Sequence, residues 1–212
     1  MGYKLKRITI RPNGTEKQIR PKNTTQVFTY DFKSAWSVAQ MQTDWWVFSN
    51  TNGWDFASNW LHQSGSGNKN FHINNVLDCS SFTKITIVEN FYVNWNSWWG
   101  TQWASIIDSS NNGAWAYFTF RANTASNYNG YGMSFQSTWF LVNTVALRAW
   151  NYTGTLIIDA VNLTATLSVT WKTDLTAPLV QTDIDLIKTG VGMWIDFDNS
   201  WNYIQDITVT IE

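Results

Sequence analysis

The chain has 212 residues, of which 44% are hydrophobic and only 14% charged, with a net charge of −1 at pH 7. Against a usual charged fraction of about 25%, this requires an exposed surface built of Asn, Thr, Ser and Gln. A near-zero net charge excludes a global field drawing the protein to nucleic acid or an acidic membrane, and no apolar run of about 18 residues is present to span a bilayer. The single cysteine, Cys79, excludes an intrachain disulfide and a cysteine-built metal site, and reads as a small core hydrophobe.

Residues 1–25 differ from the rest. Lys4, Lys6, Arg7, Arg11, Lys17, Arg20 and Lys22 are half of the 14 Lys and Arg, and they stand against Glu16 alone. Pro12, Asn13-Gly14 and Pro21 punctuate the stretch, and a short strand is predicted around Tyr3–Ile10. It reads either as an anchoring arm that docks onto a partner or as a frayed terminus. Tyr3 is its one aromatic, too little to stack on nucleic acid. No apolar segment follows the basic residues, so they do not match a Sec signal peptide.

From Gln26 to residue 212 the pattern is that of strands. Val27–Phe32 alternates, with Phe28, Tyr30 and Phe32 on one face. Lys33–Gln42 reads as a short helix or loop, Asp44–Ser49 as a strand, and Thr51-Asn52-Gly53 as the turn of a tight hairpin. Ala57–Gln63 and Phe71–Val76 flank the Gly65–Asn68 loop. Thr83–Val93 is a long strand, and Trp103–Asp108 and Ala114–Arg121 are two more joined through Asn112-Gly113. Asn129-Gly130 precedes Tyr131–Phe135. Thr144–Asn151, Gly154–Ala160 and Leu163–Lys172 read as consecutive antiparallel strands, and Ile184–Lys188, Val191–Asp198 and Tyr203–Ile211 close the chain. In Leu163–Lys172 the period of two puts Leu163, Ala165, Leu167, Val169 and Trp171 on a buried face and Thr164, Thr166, Ser168, Thr170 and Lys172 on a wet one. A strand with one apolar face needs a second layer over it. The prediction is therefore an all-β fold, an antiparallel two-sheet β-sandwich or jelly roll over 26–212, preceded by the extended basic arm.

Two stretches, Thr155 to Val169 (TLIIDAVNLTATLSV) and Trp201 to Ile211 (WNYIQDITVTI), resemble the hairpin and the terminal strand of the concanavalin A-like lectin and glucanase jelly roll and of similar carbohydrate-binding modules. Met1 to Pro12 (MGYKLKRITIRP) resembles the start of some tailed-phage structural proteins. The first resemblance implies a fold rather than an activity, because one fold hosts many functions.

The glucanases of this fold carry a Glu-x-Asp-x-Glu type of cluster on one strand, and glycosidic cleavage needs two carboxyls flanking the bond. Here Glu16, Glu89 and Glu212 are far apart. The pairs Asp183/Asp185 and Asp196/Asp198, each expected to share a strand face, have no Glu beside them, so no enzyme is expected. His62 and His72 are isolated and read as surface or packed histidines. Asp196, Asp198 and Asn199 are hard oxygen ligands at a strand end; they read as a site for a structural Ca²⁺ or as a polar strand face running into a turn, and no other cofactor is implied. The sharpest cluster among the fifteen tryptophans is Trp95, Trp98, Trp99 and Trp103, interleaved with Asn96 and Gln102. Indole faces stack on the apolar face of a sugar while amides hydrogen-bond its hydroxyls. The same indoles would equally plug the end of a sandwich or a subunit contact.

Taken together, the missing export signal, the charge-poor surface and the basic arm predict a non-enzymatic virion structural protein. It would be a capsid-decoration, fibre or tail component of a phage that displays a lectin-like jelly roll. Its expected partners are other virion proteins, copies of itself and cell-surface glycans, with no nucleic acid and no membrane. A secreted carbohydrate-binding module or lectin is the alternative.

Overall fold

The computed structural model describes residues 6–9, 25–56, 61–64, 67–93, 101–110, 113–121, 130–137, 141–143, 147, 150–198 and 203–212. Two sheets face each other, as the period-two patterning requires. The nine-stranded sheet takes β1 (Lys6–Thr9), β2 (Gln26–Asp31), β16 (Tyr203–Ile211), β7 (Lys84–Val93), β12 (Trp150–Asp159), β13 (Thr164–Val169) and β14 (Leu175–Pro178) in that order, with β4 (Trp54–Asp55) and β5 (Leu61–Gln63) attached through β16. The seven-stranded sheet runs β11 (Leu141–Asn143), β10 (Gly130–Ser134), β9 (Gly113–Arg121), β8 (Thr101–Ile107), β15 (Gly192–Asp198), β6 (Asn68–Ile73) and β3 (Val47–Phe48). Neighbouring strands are antiparallel except β1, whose backbone joins β2 in parallel. Among the described residues no helix is long and apolar enough to cross a membrane.

Alternation builds the interior. Ile85, Ile87, Phe91 and Val93 of β7 point inward with Leu156 and Ile158 of β12 and Ala165, Leu167 and Val169 of β13. On β16, Ile204 and Ile207 are both buried although three residues apart, because a register shift between Ile204 and Asp206 inserts a β-bulge and resets the alternation. The outer face of this sheet carries rows of hydroxyls: Thr29, Thr208, Thr155 and Ser168 share one row with Val88. That is the uncharged polar surface the composition demands. Between the sheets, Phe71 meets Trp46 and Trp54 edge-to-face at 5.0 and 5.3 Å, Phe32 at 5.6 Å and Phe48 at 5.1 Å. Burial drives the Tyr30 phenol well above its ordinary range, with the charge of Asp44 acting the same way, so it stays a donor to Asp44 at 3.0 Å. Cys79 is buried, its thiol pushed up to about 12 first by burial and then by Asp78, which fits a packed hydrophobe.

Several sequence expectations change. Ile184–Lys188 is not a strand: α2 covers Gln181–Ile187, and Ile184 and Ile187 are buried one turn apart. Asp183 and Asp185 therefore share a helix, and Asp183 accepts from the amides of Val180 and Ser137 at 3.0 Å each. In Asp44–Ser49 only Val47–Phe48 is strand, because Asp44 and Trp45 end α1 (Val38–Thr43), with Trp45 at φ 74. Gly53 at φ 74 does turn the chain, but from β3 in one sheet to β4 in the other rather than through a tight hairpin. Trp150 and Asn151 open β12, which runs through to Asp159, so Thr144–Asn151 and Gly154–Ala160 are not two separate strands; 144–146 and 148–149 lie outside the described residues. Leu163 and Trp171 sit at φ 51 and 58, bounding a strand of Thr164–Val169 only, and Trp171 is 78% exposed rather than in the core.

Replacing Phe71 by Ala removes the ring that the other aromatics enclose. The expected cost is about 3–5 kcal/mol, read as a drop in the urea midpoint at unchanged m-value.

Candidate functional site

The residues singled out from sequence fall in three places. Trp95, Asn96, Trp98 and Trp99 lie in 94–100, outside the described residues, as do Asn199 and, in the arm, Lys4, Arg11, Lys17, Arg20 and Lys22. Lys6 and Arg7 are in β1. Gln102 is fully buried, because it shares the inward parity of Ala104 and Ile106 on β8, and its amide Nε2 donates to Glu89 Oε1 inside the sandwich. A side chain committed to the core is not available to a surface ligand, so the sequence-based placement of Gln102 in an exposed set is corrected.

Trp103 and Asp196, chosen from sequence for different reasons, are register partners on β8 and β15. Asp196 also opposes Asn70 on β6, and Asp198 opposes Asn68. Among the described residues no three His, Cys, Asp or Glu side chains are grouped as metal ligands. One row along the outer face of the seven-stranded sheet is formed by Val47, His72, Trp194 and Ser105. There the His72 and Trp194 rings stack at 5.4 Å and 10°. Burial pushes the His72 imidazole below its ordinary range, so at neutral pH it is an uncharged plate extending the indole. His62, by contrast, is packed: it is buried and lies against Tyr203 at 4.4 Å.

The most exposed aromatic pair sits at one end of the nine-stranded sheet. Trp150 opens β12 opposite Val93, the last residue of β7, whereas Asp159 and Lys84 pair at the other end. Trp150 shares the inward parity of Tyr152 and Leu156 but is 54% exposed; the core face continues here beyond the layer that covers it. Trp171 follows β13 in a turn where Thr170 N donates to Thr153 O and Lys172 N to Val169 O. The two rings lie 6.2 Å apart at 52°. On the outer parity of the same strands, Thr153 Oγ1 donates to Asn90 Oδ1 at 2.6 Å, and Thr153 N to Thr170 Oγ1 at 2.9 Å. A bulky residue in the left-handed region costs on the order of 1–2 kcal/mol, and an exposed indole returns nothing for it in folding.

Sequence reasoning missed this pair. Periodicity assigned Trp171 to the core, and only the run Lys172-Thr173-Asp174 behind it signalled that the strand had already ended. The segment carrying Trp95, Trp98 and Trp99 begins directly after Val93, the partner of Trp150.

No protein-family model matches the chain, and no curated protein matches it. Among solved structures it is similar to peanut lectin (10% identity, 90% of this chain and 98% of that one, TM-score 0.56). It is also similar to the CBM2 module of the evolved Dit of Lactobacillus casei BL23 phage J-1 (12% identity, 74% and 79%, TM-score 0.52), and to a sialidase (9% identity, 86% of this chain but 17% of that one, TM-score 0.55). At these identities the likeness is one of architecture: the chain has the concanavalin A-like jelly-roll fold.

Proposed function

We propose that this chain is a non-enzymatic, glycan-adhering jelly-roll module borne on a phage particle, and that Trp150 and Trp171 form its sugar-stacking face. The observation that carries the reading is the pair itself: two indoles 6.2 Å apart, more than half exposed, one of them held at positive φ. An indole presents a flat apolar face on which the C–H side of a pyranose ring can stack.

The carboxylates argue against hydrolysis. Glu89 is enclosed between the sheets, and Glu212 pairs with Lys84 at 3.1 Å, at the end of β7 away from the indoles. Neither stands beside the aromatic pair as the acid of a two-carboxyl mechanism would. For the virion setting, the support is the basic arm with Lys6 and Arg7, the phage-like opening of the sequence, and the fold shared with a phage Dit module.

On a glycan array the protein is expected to bind, and Trp150→Ala and Trp171→Asn are each expected to weaken binding at least tenfold; retention of binding by both variants would remove the pair from the site. As surface positions they should leave folding intact. Trp150→Ala should shift stability by no more than about 0.5 kcal/mol, and Trp171→Asn should be neutral or stabilising, because Asn tolerates the left-handed conformation. In the particle, the protein is expected to sediment with virions through a density gradient. Recovery only as a free monomer would overturn the virion setting and favour a secreted lectin.

A further inference from the structure

Glu89 is an acid set mid-strand among inward-facing apolar side chains. It is 0% exposed, lies on β7 between the inward-facing Ile87 and Phe91, and is opposed by Gly154 on β12 and Ile207 on β16. From the other sheet it meets Gln102, whose register partner on β15 is Phe197. The Gln102 Nε2 donates to Glu89 Oε1. Two atoms of the same pair are then left over: Glu89 Oε2 and Gln102 Oε1 are both buried with no hydrogen-bond partner among the described residues. Both are acceptors if Glu89 is ionised, and two buried acceptors without donors cost several kcal/mol. One proton on Oε2 turns the two leftovers into a donor and its acceptor.

We propose that Glu89 is carried in the native protein as a neutral carboxylic acid, closing a two-bond ring with the Gln102 amide that fastens the nine-stranded sheet to the seven-stranded sheet. The pair joins the middle of β7 to the second residue of β8. The charged groups around it favour the neutral form. Asp206 on β16 is the charge acting on Glu89; it is held on the outer side by Asn90 Nδ2 at 2.6 Å and Lys33 Nζ at 3.1 Å. Burial is the larger influence and Asp206 the second, both raising the Glu89 pKa well above the glutamate range, while the bond from Gln102 opposes them.

The consequence for stability has a definite sign. The folded state keeps a proton that the unfolded chain releases just above the ordinary glutamate range. The stabilisation is therefore complete below that range and declines as pH rises from it through the raised folded value. Within this window the folded-to-unfolded ratio falls by about tenfold per pH unit on account of this group.

The chain has three glutamates, Glu16, Glu89 and Glu212, so side-chain carboxyl ¹³C labelling of glutamate gives three resonances, assigned with Glu16→Gln and Glu212→Gln. The expected result is that the Glu89 resonance keeps its neutral-acid shift as pH rises well above the ordinary glutamate range. Titration of the Glu89 resonance within that range would overturn the proposal with the wild-type protein alone. In urea unfolding, wild type should lose stability relative to Glu89→Gln as pH rises from the ordinary glutamate range, and parallel profiles would count against the proposal. Neither readout involves a glycan, so the outcome is independent of the reading of Trp150 and Trp171.

Discussion

Edge-to-face packing around Phe71 is the contact on which the sandwich depends. The ring projects from β6 of one sheet and meets Phe32, which follows β2, and Trp54 on β4, both belonging to the other. Trp46, Phe48 and Phe197 complete the enclosure. Each such ring pair contributes about 0.5–1.5 kcal/mol beyond the burial of its area. A chain with 14% charged residues has little else with which to hold two layers together. Among the described residues, ion pairs such as Lys33 with Asp206 and Lys84 with Glu212 are at the surface, where such pairs contribute about 1 kcal/mol or less.

Within that packing the described tryptophans divide into two groups. Trp46 is 1% exposed and Trp54 packs against Phe48 and Phe197; these are structural. Trp36, Trp45, Trp150 and Trp171 are each more than half exposed. Trp45 and Trp171 also occupy left-handed backbone, where Asn or Gly would sit without strain. Folding alone would select against an indole at such a position. Among the described exposed tryptophans, Trp150 and Trp171 lie 6.2 Å apart at a tilt of 52° at a strand end, which is why that pair is read as a contact surface.

The strands that read clearly from sequence, β7, β13 and β16, are those with one face on the core and the other on a Thr-rich surface. There burial alone sets the pattern. Ile184–Lys188 was misread because Ile-Asp-Leu-Ile satisfies a period of two and a period of 3.6 equally well over one turn. The helix is decided instead by Asp183 reaching back to the Val180 amide and across to Ser137, a tertiary contact with no local trace. Trp171 was misread for a related reason: periodicity cannot see where a strand leaves the layer that covers it. Of the candidate site, the residue types were legible, but not which way each side chain faces. Gln102 shows the difference, since a shift of one residue along β8 decides whether an amide faces solvent or the interior.

The polar groups inside the sandwich follow a common logic. Asp44 accepts from Tyr30, Asp183 from Val180 and Ser137, and Glu89 from Gln102. The first two acids tie loops and helix ends to the core, where neighbouring backbone supplies donors. Glu89 lies mid-strand, where the backbone donors are spent on the sheet, and its partner comes from the opposite layer. Apolar rings tolerate small offsets between packed sheets, because dispersion contacts are many and individually weak. An acid and an amide do not: sliding β7 against β8 by two residues would put both polar groups against Ile87, Phe91 or Ala104 and leave every one of their hydrogen bonds unmade. The aromatic packing thus supplies the adhesion between the two layers, and the Glu89–Gln102 contact limits them to a single alignment.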